Sequence, residues 1–255
     1  RCSSAVVSVF PTARPIHFVD LYGNHGHHVE IPGAHDRLIV EARLRVQTAP
    51  SLRVEDFPYG TGMDSLKGLV GREDCHPFLQ NSPYVEVSPS VWREAVDIMD
   101  ESTDVFQTCY AIMEHIFNHF EYTPGATVVS THGNEVIKGK VGVCQDFAHA
   151  MLTFCRSLRI PARYVSGYFF DATRDHSLRG SEATHAWVEI FVEGFGWIGL
   201  DPTNNKVVDN SYIVLAVGRD YSDVAPISGT YFGGGTSTLI VQVAVRRLDL
   251  VVKTD

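Results

Sequence analysis

The segment Gly142-Val143-Cys144-Gln145-Asp146-Phe147-Ala148 sets a cysteine behind a glycine turn and at the head of an apolar-striped helical pattern. At the first position of a helix, the unsatisfied amide N–H groups and the positive end of the macrodipole favour an anion. A thiolate is such an anion, and it is the nucleophilic form of cysteine. The same N–H groups, that of Cys144 included, can face a developing oxyanion. The plainer reading is a thiol packed under a helix end, since free cysteine is among the most buried residue types.

A second segment shifts that balance. Thr184-His185-Ala186-Trp187-Val188-Glu189-Ile190 reads as a strand that begins with histidine, whose unperturbed pKa lies near neutrality. Phe195-Gly196-Trp197-Ile198-Gly199-Leu200-Asp201-Pro202-Thr203 reads as the return strand of the same hairpin and ends in an aspartate followed by proline. A nucleophile, a base and an orienting carboxylate thus occur in the order Cys144, His185, Asp201.

Strand parity sharpens this arrangement. Side chains alternate, so Asp201 shares a face with His185 only if its pairing partner is odd-numbered. A two-residue turn at Gly194-Phe195 would pair it with Val188, on the wrong face. A three-residue loop, either Glu193-Gly194-Phe195 or Gly194-Phe195-Gly196, pairs it with Trp187 or Glu189. The first register sets Asp201 diagonal to His185, about 7–8 Å away and within side-chain reach. Such loops need a glycine at the left-handed position, and one is available in either register. An odd loop or a bulge is therefore expected.

The elements that must hold these residues are legible in outline. Val105, Phe106, Cys109, Ile112, Met113, Ile116, Phe117 and Phe120 recur at helical steps, with Thr103 or Asp104 as cap. A second helix is expected from Cys144 to Leu158, stopped by Pro161. Strands are expected at 163–170, 184–192, 196–201, 212–217 and 238–248, with Gly233-Gly234-Gly235-Thr236 as a bend before the last. The first eighty or so residues read as β-rich. Leu38 to Gln47 alternate like a strand buried on one face, and 16–21 and 28–31 flank a hairpin connection at 22–27. Residues 50–90, broken by many prolines and glycines, read as a surface linker. The division is thus a β-rich domain over 1–85 and a core over 86–255. Helices followed by antiparallel strands make an α+β pattern.

Composition excludes much else. The 255 residues suffice for a real core, and 44% apolar with 20% charged is ordinary globular usage, not disorder. Apolar runs fall far short of the roughly 20 residues a membrane-spanning helix needs. A net charge of -9 without a local basic patch argues against nucleic-acid binding. The five cysteines (Cys2, Cys75, Cys109, Cys144, Cys155) are scattered and include no CxxC pair, so reduced thiols and a cytoplasmic setting are expected. The chain starts at Arg1 without a signal-like segment and reads as an internal fragment, whose true N-terminal address would not be visible.

Gly142-Val143-Cys144-Gln145-Asp146-Phe147-Ala148-His149, Gly167-Tyr168, His185-Ala186-Trp187-Val188-Glu189 and Asp201-Pro202-Thr203-Asn204 together resemble the core of the bacterial transglutaminase-like superfamily, whose members are often described as candidate cysteine proteases. The resemblance extends to 120–127 and 217–224, and Asp20-Leu21-Tyr22-Gly23-Asn24 resembles part of the small β domain that precedes that core. It implies a papain-like α+β core, an antiparallel sheet packed on helices, with a Cys144-His185-Asp201 triad. It also implies that the start of the β domain lies outside this chain.

The activity implied is acyl transfer on protein or peptide amides through a thioester, with hydrolysis (protease or amidase type) ahead of protein-glutamine crosslinking. A non-catalytic peptide-binding module is the alternative from another class. A second oxyanion donor is expected, with Gln145 and Tyr122 as candidates. Asp146 and His149 either line the cleft or support the helix start, with support preferred. Trp187, Tyr168 and Trp197 are candidates to shield a thioester, though core packing suits each of them too. No cofactor and no metal are inferred. Glu114-His115 with His119 is not the HExxH order of a zincin, and His25, His27 and His28 read as solvated imidazoles crowding one turn. The expected partner is a protein or peptide substrate, with neither nucleic acid nor membrane.

Overall fold

The computed structural model describes residues 1–48, 50–170, 184–234, 236 and 238–248. Strands β1 (Cys2–Phe10), β2 (Ile16–Val19), β3 (His25–His28) and β4 (Ile39–Val46) form two separate antiparallel pairs, β1 with β4 and β2 with β3. The hairpin turn falls at residues 20–24 and not at 22–27. Asp20 Oδ1 accepts from the amides of Tyr22 and Asn24 at 2.9 and 2.8 Å, and Gly23 takes the left-handed conformation at φ 83°. His25, His27 and His28 consequently sit on a strand. The alternation through β4 does not bury a face, because a lone antiparallel pair supplies no opposing layer: Val40 and Leu44 remain 41% and 40% exposed.

Residues 50–85 depart from the expected surface linker. Prolines and glycines break the segment into short 3-10 turns at Val54–Asp56, Met63–Gly68 and His76–Leu79, yet Leu66, Leu69, Cys75, Phe78, Leu79 and Val85 between them are buried. The fully buried Arg156 guanidinium ties the segment down, donating to Gln80 O at 3.1 Å and Ser82 Oγ at 3.2 Å. It also donates to the carbonyls of Ala162 and Arg219.

Helix α1 (Pro89–Met99) was not among the expected elements. Ser88 caps it by accepting from Val91 N, and Pro89 opens it at a position whose amide has no helical partner anyway. Helix α2 (Val105–His119) is capped by Asp104, one of the two expected candidates, which accepts from Gln107 N at 2.8 Å. Strand β5 (Glu121–Tyr122), helix α3 (Gly133–Gly139) and strand β6 (Val141–Gly142) lead to helix α4 (Cys144–Ser157), with β5 and β6 paired in parallel.

Then follow β7 (Ala162–Phe169), β8 (His185–Val192), β9 (Gly196–Asp201), β10 (Lys206–Val207), β11 (Tyr212–Gly218) and the short helix α5 (Tyr221–Val224). The sheet is antiparallel throughout, in the order β10-β9-β8-β7-β11. Residues 238–248 form no strand among the described residues, and Gly235 of the proposed bend lies outside them.

Helix α4 is buried from Asp146 through Ser157. It packs between the sheet face carrying Tyr164, Val188, Ile190 and Leu200 and helices α1 and α2. Side chains such as Phe147, Met151 and Phe154 each contribute about 1.5–3 kcal/mol by leaving water. On the other sheet face Val165, Phe169, Trp187, Tyr212 and Val217 form a second cluster with Tyr22 against it. No helix among the described residues is long and apolar enough to cross a membrane.

Candidate active site

Cys144 is the first residue of α4 and is partly exposed, whereas Cys75, Cys109 and Cys155 are buried. The turn before it depends on Gly142: a Cβ there would lie 2.6 Å from Asp146 Cβ and 2.7 Å from its Oδ2. That space is needed because Asp146 folds back over the helix start. Its Oδ2 accepts from Val143 N at 2.8 Å and from the Thr127 hydroxyl at 2.6 Å. Burial pushes the Asp146 carboxyl pKa up, and those two hydrogen bonds oppose it. The Gln145 side chain donates to Val129 O at 2.8 Å, so its donor is committed to the neighbouring loop. Tyr122 pairs with Gly142 across β5 and β6 and packs on Phe147 with ring centroids 6.1 Å apart.

His185 opens β8 opposite Gly167 on β7. The β8–β9 loop is Glu193-Gly194-Phe195, with Val192 paired to Gly196 and Val188 to Leu200. Gly194 and Gly196 both have positive φ, at 84° and 89°. One step further along this register Asp201 stands opposite Trp187, diagonal to His185, as the odd-loop reading requires. The outcome is a 2.7 Å hydrogen bond from His185 Nε2 to Asp201 Oδ2 with both side chains out of solvent.

The rest of the Asp201 carboxylate is saturated. Oδ2 also accepts from Asn204 Nδ2 and the Tyr212 hydroxyl, each at 2.8 Å. Oδ1 accepts from the amides of Thr203 at 2.8 Å and Asn204 at 3.3 Å. Burial alone would raise the Asp201 pKa, but the His185 charge and these donors hold it below the usual carboxylate range. For His185, burial pulls the pKa down; the Asp201 charge and hydrogen bond, with Cys144 adding to them, override this and push it up to about 10. His185 Nδ1 is buried and has no hydrogen-bond partner among the described residues. The thiol of Cys144 is near enough to contribute to the ring's basicity.

The aromatic candidates divide. Trp187 is fully buried in the second cluster, its ring 6.1 Å from His185 and 5.2 Å from Tyr212, so it backs the histidine and does not line a cleft. Trp197 lies at the other end of β9, against Phe78 and Phe191 and under the Arg163 guanidinium, in a separate hollow with Tyr22 and Asp74. Tyr168 is half-buried on β7, one residue past Gly167. His149 is buried on α4 with its ring tilted against those of Tyr84 and Tyr164, and its Nε2 accepts from Tyr221 N at 3.2 Å. Sequence reasoning quoted Asn204 only within a motif and gave Tyr212 no role. Side chains that converge from separate strands leave no local spacing to read.

Gly167 is the tightest point of the site. A Cβ there would meet Ile213 O at 2.2 Å and Trp187 Cη2 at 2.4 Å, backbone on one side and a buried ring on the other. Gly167→Ala is expected to destabilise the fold by about 3 kcal/mol. Urea titration checks this, and a loss under about 1 kcal/mol would show that the β7–β11 ladder yields easily.

The family profile of the transglutaminase-like superfamily matches residues 94–202. The uncharacterized protein ML0607 of Mycobacterium leprae is 32% identical over 245 residues, covering 95% of this chain and 85% of that protein. A protein-glutamine gamma-glutamyltransferase of Pseudomonas aeruginosa is 30% identical over 139 residues, covering 50% of this chain and 21% of that one. Among solved structures, one described as a candidate cysteine protease from Cytophaga hutchinsonii superimposes with a TM-score of 0.64 at 25% identity, covering 88% of this chain and 73% of the other.

Proposed function

The chain belongs to the transglutaminase-like superfamily, and from that premise we propose that it is a cysteine-dependent acyl-transfer enzyme acting on protein or peptide amides. The observation that carries this reading is the sealed His185–Asp201 pair, whose Nδ1 has no hydrogen-bond partner among the described residues, with a partly exposed cysteine at a helix N-terminus near enough to raise the ring's pKa. A binding module has no use for a buried imidazole kept basic by a buried anion.

In this mechanism His185 Nδ1 takes the Cys144 proton, and Asp201 holds the ring orientation and the resulting imidazolium. The thiolate attacks the amide carbonyl, with the Cys144 N–H facing the oxyanion. Collapse expels the amine, or ammonia from a glutamine side chain, which carries off the proton from His185. The thioester then reacts with water, giving a carboxylic acid and restoring the thiol.

Hydrolysis is the primary reading. Transfer to a lysine amine is the second, favoured by the similarity to the gamma-glutamyltransferase. The triad chemistry is the same for both, and acceptor access decides between them. A glutamine-containing protein substrate incubated with and without a primary amine separates them by mass. A gain of one mass unit per glutamine that persists in the presence of amine marks the hydrolase. Amine incorporation displacing that product at millimolar amine would overturn hydrolysis in favour of crosslinking.

A further inference from the structure

A carboxylate with no accessible surface takes up a proton unless donors replace its lost water. Asp201 has five donors, and they are divided in kind. The backbone amides after Pro202 fix Oδ1, whereas Oδ2, the oxygen that receives His185, is otherwise held by two side chains, Asn204 and Tyr212. We propose that Tyr212 and Asn204 are positioning residues that keep Asp201 ionised and hold its Oδ2 on His185 Nε2, so that they govern the reactivity of Cys144 without touching substrate. This rests on the acyl-transfer reading.

The local structure supports it. Tyr212 begins β11, two strands away from β8 across β7, and reaches the carboxylate along the face occupied by Phe169 and Trp187, with ring centroids 4.7 and 5.2 Å away. Burial, and then the Asp201 charge, push the Tyr212 phenol pKa further up, so the hydroxyl stays protonated and acts as a donor at any pH the protein survives. Asn204 makes its contact from the turn that follows Asp201-Pro202-Thr203.

Among the described residues, the other charged or titratable groups facing this cluster are Cys144 from α4 and, from the segment around β10, Lys206 and Asp209. The last two neutralise one another at 2.7 Å, and Lys206 Nζ lies 5.8 Å from the Tyr212 ring centroid. Arg163 and Glu189, further along β7 and β8, are likewise paired. The side-chain donors are therefore the adjustable part of the environment of Asp201.

The test is the pH profile of Cys144 alkylation by iodoacetate, an anionic reagent drawn to a thiolate only while an imidazolium stands beside it, read by peptide mass spectrometry. Tyr212→Phe keeps the ring and removes only the hydroxyl; Asn204→Ala removes the second donor from a turn. In each folded variant Oδ2 is freed to turn away from Nε2, and the alkaline limit of reactivity is expected to fall by about one pH unit, the size expected when the imidazolium loses a charge-assisted hydrogen bond to its carboxylate. The double variant should fall further.

An unmoved or alkaline-shifted limit in a variant with wild-type circular dichroism, beside normal wild-type reactivity, overturns the inference alone. Wild-type Cys144 reacting no faster than a model thiol overturns the acyl-transfer reading and takes this inference with it. Should Tyr212→Phe fail to fold, Asn204→Ala decides the matter by the same readout.

Discussion

Replacing Cys144 with serine is expected to lower amide turnover by a factor of about 10⁴ or more, while the fold persists. The helix N-terminus and the imidazole can support a thiolate, because a thiol is intrinsically far more acidic than an alcohol. The same surroundings cannot ionise a serine hydroxyl. The side chain is partly exposed and the substitution is nearly isosteric, so the stability change should stay within about 0.5 kcal/mol. Turnover by the purified variant, with thermal melting as the fold control, checks both halves. A serine variant within tenfold of wild type would place the nucleophile elsewhere.

The second large effect belongs to Asp201→Asn, expected to reduce turnover by about 10²–10⁴-fold. The charge of Asp201 is what outweighs burial and lifts the His185 pKa to about 10. Without it burial is opposed mainly by the nearby Cys144, and the His185 pKa falls. The sign for stability follows from the same shifts. In the wild type, the histidine's contribution is fully present below the unfolded imidazole pKa and is lost as pH rises through about 10. The contribution of Asp201 is present above the ordinary carboxylate pKa and disappears as pH falls through its lowered value.

Asp201→Asn removes both contributions. It should therefore flatten the alkaline fall in melting temperature and cost about 3 kcal/mol near neutrality. Combined with Cys144→Ser it should lower turnover no further, because the residues act as one unit. Additive losses would mean that Asp201 serves the fold and not the nucleophile.

Much of this site was legible because its rules are local. A glycine turn before an apolar helical stripe placed Cys144 at a helix start, and strand parity required an odd loop or a bulge, met by the three-residue Glu193-Gly194-Phe195 loop that sets Asp201 diagonal to His185. Where tertiary context decides, local pattern failed. The alternation of β4 resembled a buried face but lies on a two-stranded ribbon. The proline-rich stretch before α1 resembled a surface linker, yet Leu69, Cys75 and Val85 enter the core, and Arg156, far along the chain, holds the segment by the Gln80 carbonyl and the Ser82 hydroxyl. Helix α1 carried its own signal in Ser88-Pro89 with buried Val91 and Ala95 four apart; that signal lies inside the stretch whose prolines argued for a loop. Tyr212 had no such signal, since its partner is eleven residues away in a different strand.

Competitive labelling with limiting iodoacetamide near pH 7, with all five cysteines quantified by peptide mass, tests the activated nucleophile most directly. Cys144 should be modified at least tenfold faster than exposed Cys2, and Asp201→Asn should erase that advantage. Equal rates at Cys144 and Cys2 in the folded wild-type protein would contradict an imidazole-activated thiolate at the head of α4.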